Sequence, residues 1–281
     1  MIMRLLLCAQ LMLLALTAYA TWQEGDVIYI NGERLELLGR PIWLDSTLYH
    51  TLKDELPSDQ GTVTSNWDGF TAYWSINNDK LYLDSVRCEA YDPKAKAVTG
   101  ESIPSMTLYR IFNRYCAGNR IAASWVSGKI RVAKGKVIYY QHSGFERNYE
   151  EETILDIDKG KVIGKKEYHN FVKDGFAFDK LQENGAQEML HKILPLHIER
   201  YPELVNVKRL IFSVKRARVD EKGNLLECNV QVVRPDAGPQ LATEIAEALK
   251  NYHPWKVYYI NGEYRALGIE NWSIPYILHD K

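Results

Sequence analysis

The chain has 281 residues, a length that suits two domains, and its 46% hydrophobic content is enough for packed cores. Lys and Arg number 35 against 36 Asp and Glu, and so near-neutral a balance argues against a nucleic-acid binder, which normally shows a basic excess or stripe. Aromatic content of 11%, with 18 Tyr and 7 Trp, leans toward strands.

In chain order, Arg4 precedes an apolar run from Leu5 to Leu16, and Ala18-Tyr19-Ala20 follows as the small-x-small pattern of a signal-peptidase site. Residues 1–20 are therefore expected to be a secretory signal cut after Ala20. The run falls short of the ~20 apolar residues a bilayer span needs, and no second run follows, so no stable transmembrane span is expected. Export leaves Cys88, Cys116 and Cys228, an odd count. Cys88 and Cys116 either form a disulfide or stay as two buried thiols.

Residues 21–169 read as a β-rich domain. Asp26 to Leu38 alternates through Asn31-Gly32, a two-residue hairpin turn. Asp45-Ser46-Thr47 caps a short helix carrying Leu48 and Leu52. Phe70, Ala72, Trp74 and Ile76 alternate with Thr71, Tyr73 and Ser75, and a turn at Asn77–Lys80 leads to a second strand over residues 81–88. The stretch 92–105 reads as a loop. Leu108, Ile111, Phe112 and Tyr115 mark a helix, and strands follow over 121–126, 129–132, 137–141, 149–157 and 161–168. The expected form is an antiparallel meander with two small helices. Residues 170–203 read as a linker and a helix, with Asn170–Gly175 as the connecting piece and Pro195 ending or kinking the helix.

From residue 204 to 281 the pattern is clearest. Leu210, Phe212 and Val214 alternate with polar neighbours, Asp220–Asn224 turns the chain, and Leu226, Cys228, Val230 and Val232 face one way. Pro239 opens a helix with Leu241, Ile245 and Leu249 on one face. Trp255–Leu267 is a hairpin closed by Asn261-Gly262, and Trp272–Leu278 is a last strand, giving ββαβ(β) and an α+β chain overall.

That order, with Phe212-Ser213-Val214, Asp220-Glu221-Lys222-Gly223-Asn224, Val230-Gln231-Val232-Val233-Arg234, Ala246-Glu247-Ala248-Leu249 and His253-Pro254-Trp255, resembles the C-terminal domain of TonB-type proteins over about residues 204–279. The resemblance implies capture of a short extended segment of an envelope protein by strand pairing. It does not bring the N-terminal membrane helix or Pro-rich spacer of those transducers, because a signal and an aromatic-rich domain stand in their place. Pro275 lacks a donor and suits an edge strand, so Trp272, Ser273, Ile274, Pro275, Tyr276, Ile277 and Leu278 form the candidate partner-binding edge.

No hydrolase, phosphate-loop, metalloprotease or Cys-x-x-Cys motif occurs, so no catalytic residue, metal or cofactor is expected. His191 and His197, six apart, fall on different helix faces. The reading is a non-catalytic protein-interaction module of the periplasm or extracellular space. Two alternatives stay open: a carbohydrate-acting or hydrolytic enzyme with a site near His142, Glu146 and Tyr149, and a toxin-neutralising or scaffold protein. Composition does not give the oligomeric state.

Overall fold

A computed structural model of the chain describes residues 23–56, 64–92, 97–140, 144–177, 180–181, 185–266 and 273–278. The expected signal, His142 and Trp272 lie outside the described residues. The chain is mixed α+β and mostly β, in two compact units that divide between Glu167 and Tyr168. No helix among the described residues is long and apolar enough to cross a membrane.

The first unit is built on ten strands: β1 (Asp26–Ile30), β2 (Glu33–Leu37), β3 (Phe70–Asn77), β4 (Lys80–Asp92), β5 (Ala97–Ser102), β6 (Cys116–Ala117), β7 (Arg120–Ala122), β8 (Gly128–Tyr140), β9 (Arg147–Asp158) and β10 (Lys161–His169). The order β10-β9-β8-β2-β1-β3-β4 closes on itself where Lys161 pairs with Lys80, making a seven-stranded barrel-like ring. The expected antiparallel meander is corrected where β1 and β3 run parallel, with Val27 opposite Tyr73, and where β2 pairs with β8 across a long stretch of chain. Parallel neighbours need a long crossover, and helix α1 (Ser46–Asp54) lies in the connection between β2 and β3. Asp45 caps α1 by accepting from Leu48 N at 3.1 Å. The stretch expected as a loop holds β5, which pairs with β4 and makes that strand 13 residues long.

One large core fills most of this unit, and Leu38, Ala133 and Tyr149 form a separate small cluster. Ile28, Leu37, Ala72, Trp74, Leu83, Val132 and Leu155 from the ring meet Leu48 and Leu52 of α1 and Leu108 and Ile111 of α2 (Ser105–Ile111). Trp74 and Trp125 pack with their ring centres 6.1 Å apart and their planes tilted by 54°, so both serve packing.

The second unit has two three-stranded sheets. One runs β11-β14-β15, from β11 (Phe171–Lys173), β14 (Val257–Ile260) and β15 (Glu263–Arg265); the other runs β13-β12-β16, from β12 (Arg209–Val219), β13 (Leu225–Arg234) and β16 (Ser273–Ile277). The expected linker piece at 170–175 is thus partly strand, since Phe171 pairs with Tyr259. Helices α3 (Ala186–Ile193) and α4 (Pro239–Asn251) share a core with both sheets through Leu190, Ile193, Leu241, Ile245, Leu249, Phe212, Val257 and Trp255. Pro239 stands in the first turn of α4, and α3 stops two residues before Pro195.

Both Asn-Gly turns have positive φ at each central residue: 53° and 81° at Asn31 and Gly32, 53° and 87° at Asn261 and Gly262. Those angles are the signature of the type I′ turn that matches strand twist. Leu226 departs from the expected inward set. A register shift between Arg218 and Val219 puts Leu225 in the core at 4% exposure and leaves Leu226 at 52%.

Cys88 and Cys116 are free thiols. Cys116 sits opposite Ile121, which sits opposite Leu83, five positions before Cys88. Two strand spacings and five residues of rise put the two thiols on the order of 20 Å apart, whereas a disulfide needs Cα atoms within about 7 Å. The Cys88 thiol donates instead to Glu101 O at 3.1 Å.

Candidate functional site

The candidate edge strand β16 lies at the border of its sheet, with Ser273 opposite Ser213 and Ile277 opposite Arg209. Its outward main-chain groups at Pro275 and Ile277 are occupied. Gln187 Nε2 donates to Pro275 O at 2.7 Å, and Gln187 Oε1 accepts from Ile277 N at 2.8 Å. His191 Nε2 lies 2.8 Å from Ile277 O, where only its N–H form makes a hydrogen bond. Both side chains stand on α3, one turn apart, so one helix face covers the edge. The His191 ring also meets Tyr276 edge-on at 4.7 Å, and Tyr276 OH donates to Leu194 O at 2.7 Å. Ile274 and Tyr276 are buried beneath, while Leu278 closes the pairing by donating to Lys208 O at 3.0 Å.

The opposite border of the same sheet is different. β13 is ten residues long, and among the described residues no strand pairs with its outer side. Its outward groups follow from alternation. Pro275 and Ile277 turn away from β12, so their partners Ile211 and Arg209 turn away from β16, and so does Ser213, toward Gln231 of β13. Gln231 therefore spends its main-chain groups on β12, and Val230 and Val232 present theirs outward. Edges of this kind are usually blunted by Lys, Pro or inward charge. Residues 225–233 contain neither Lys nor Pro, and the inward positions are Leu225, Cys228, Val230 and Val232. Burial pushes the Cys228 thiol up to about 12, so it stays neutral in the core.

A second polar constellation lies in the first unit. Asp26, fully buried, accepts from Ala72 N at 3.1 Å and Trp74 Nε1 at 2.9 Å, with Arg40 Nη1 at 3.6 Å. Arg40 also meets Asp68 at 3.2 Å and donates to Asn66 Oδ1 at 2.8 Å. Asp68 accepts from Trp43 Nε1 and Tyr49 OH, both at 2.9 Å. Desolvation raises the Asp26 carboxyl to about 6, against the opposing pull of Arg40, Trp74 and Ala72. Desolvation, with the hydrogen bond to Asp68, holds the Tyr49 phenol at about 12.

Nearby, an open cavity of about 320 Å³ is lined by Arg34, Glu36, Tyr73, Arg147 and Tyr149 among others. Arg147, 2% exposed, donates to Gln23 O, to Tyr149 OH and to Glu36, and Tyr149 OH donates to the other Glu36 oxygen. Tyr149 is raised to about 12, by burial first and the Glu36 hydrogen bond second. Tyr149 thus joins Glu36 and Arg147, residues that no motif or spacing flags. His191 and His197 part company as well: His197 contacts Glu199 at 3.2 Å.

No protein-family profile, no curated protein and no solved structure matches the chain.

Proposed function

We propose that the second unit is a non-catalytic binding module that takes up an extended segment of an envelope protein by strand addition, in the periplasm or outside the cell. The observation that supports this reading is the contrast between the two borders of one sheet: Gln187 and His191 occupy β16, while among the described residues no strand pairs with the outer side of β13. An extended segment lying along β13 would bond to the main chain of Val230 and Val232, and Leu226 and Val233, 52% and 45% exposed, would supply apolar contacts for its side chains. In this reading the docking strand lies along β13, on the border opposite β16.

A hydrolytic or carbohydrate-acting role draws less support from the first unit's cavity. A general acid or base must exchange a proton with substrate, and both Glu36 oxygens are engaged by Arg147 and Tyr149.

The test is a proline scan with photocrosslinking. Val230→Pro removes an outward donor and leaves the ladder to β12 intact, whereas Gln231→Pro removes a ladder bond. With a photocrosslinking side chain at Leu226 or Val233, the folded protein should trap a discrete envelope protein. Val230→Pro should abolish trapping without unfolding the unit. Trapping that survives Val230→Pro refutes strand addition on this edge.

A further inference from the structure

The cavity of the first unit follows from strand register. Ile28 faces the core, so its neighbours on β1 face outward, and outward Val27 stands opposite Glu36 of β2 on one side and Tyr73 of β3 on the other. The next outward row sets Tyr29 between Arg34 and Ser75. Two residues before Val27 comes Gly25, where a Cβ would stand 2.0 Å from Leu37 O, so no side chain can rise there. Gly25 and Val27 are short and their neighbours long, which leaves a trough along β1. Two strand spacings make it about 10 Å wide. Arg147 and Tyr149 line it too, held by their bonds to Glu36.

The charges of the lining cancel. Glu36 is matched by Arg147, and Asp26, which bonds to Trp74 on the core side, by Arg40. Arg34 and Glu24 remain, one of each sign, and Glu24 accepts from Ser65 Oγ at 3.0 Å. Such a balance suits a neutral ligand and selects against a phosphate or an ammonium group. Two donors are unspent: among the described residues, neither the side chain of exposed Arg34 nor that of half-buried Tyr73 makes a hydrogen bond or an ion pair. A phenol in a partly buried place normally finds a partner.

Size and chemistry narrow the occupant. A volume of about 320 Å³ equals that of about ten waters, which is the scale of one sugar ring. Val27 and the rings of Tyr73 and Tyr149 put apolar surface among the polar groups. A pyranose combines the matching properties: no charge, hydroxyls that donate and accept, and a C–H face to lie against a phenol ring. We infer that this trough binds one neutral sugar ring, with Tyr73 OH and the Arg34 guanidinium donating to its hydroxyls. The sugar is held and not cleaved, because both Glu36 oxygens are engaged and neither exchanges a proton with it. Sugar binding here and strand capture on the second unit are independent of each other.

The experiment uses the full chain and ligand-observed NMR, reading saturation transferred to D-glucose, D-galactose, D-mannose and N-acetyl-D-glucosamine, each offered alone. Sodium glucuronate and inorganic phosphate serve as charged comparisons. At least one neutral sugar should receive saturation, and its dissociation constant should rise about fivefold or more in Tyr73→Phe and in Arg34→Met, the loss of one hydrogen bond each. Phe keeps the ring, and Arg34→Met, at an exposed position, keeps the test valid should Tyr73→Phe disturb packing. Silence from all the neutral sugars overturns the inference. So does wild-type affinity in either folded variant, or saturation of glucuronate or phosphate alone, which would make the trough an anion site.

Discussion

The side-chain amide of Gln187 lies against Pro275 as a one-residue substitute for a strand: it donates to Pro275 O and accepts from Ile277 N, the two groups a paired strand would satisfy. Replacing Gln187 with Leu leaves both without a protein partner. The expected cost is about 1–3 kcal/mol in urea unfolding. Gln187→Glu keeps the acceptor for Ile277 N and loses the donor, so it should fall between. A Leu variant as stable as wild type would mean that water serves this edge equally well.

Asp26 makes stability depend on pH in a direction opposite to that of most carboxylates. Its folded-state value of about 6 stands above the ordinary 3.8, chiefly because the ionised form is desolvated. The folded state therefore holds the proton more tightly than the unfolded chain. The associated stabilisation is complete below 3.8 and is lost as pH rises through about 6. The contribution is on the order of 3 kcal/mol. Asp26→Asn has no such proton, so the wild-type minus Asn difference in unfolding free energy should shift in favour of wild type on going from pH 7.5 to 3.5. A difference that stays flat with pH would falsify the assignment.

Two glycines let separate segments approach the Trp255 backbone. A Cβ at Gly175 would stand 2.4 Å from Trp255 O, and one at Gly223, where φ is +81°, 2.5 Å from the same atom. Backbone cannot yield as a flexible side chain does. Gly175→Ala and Gly223→Ala should each lower stability by about 1–3 kcal/mol in denaturant titration. Gly32→Ala has open space around its Cβ and bears only the strain of positive φ, so it should cost less.

Thiol chemistry should separate the three cysteines. Cys116 is exposed, Cys88 half-buried and Cys228 5% exposed with its thiol pushed up to about 12. Alkylation of the native protein at mildly alkaline pH, located by peptide mass, should mark Cys116 first, Cys88 more slowly and Cys228 only after denaturation. Recovery of a Cys88–Cys116 disulfide peptide would contradict the strand register.

What was legible in the sequence was local chemistry. Asn31-Gly32 and Asn261-Gly262 announce their turns because few other pairs tolerate positive φ twice, and Asp45 and Pro239 mark helix starts through a single bond or a fixed φ. What was hidden depends on partners far along the chain. The parallel joint of β1 and β3 spans the whole α1 crossover. Arg147 reads as a surface residue until Glu36, 111 positions away, meets it. Gln187 looks like any helix glutamine until Pro275 arrives from 88 positions later. Leu226 fits a period-two face until one shifted register turns it outward. Pro275 pointed to a border strand, and β16 is one, but the helix whose Gln187 and His191 cover it has no signature in composition or spacing.

The closure of the barrel has a consequence for how the first unit breathes. Where β3 and β4 meet, eight residue pairs are in register, whereas the ring closes between β10 and β4 through the single pair Lys161–Lys80. Val162 N to Asp79 O and Leu81 N to Gly160 O flank that pair at 2.7 and 2.8 Å. So short a seam is the least costly place to part the cylinder, and amide protons there should exchange with deuterium well before those of Ala72 or Trp74.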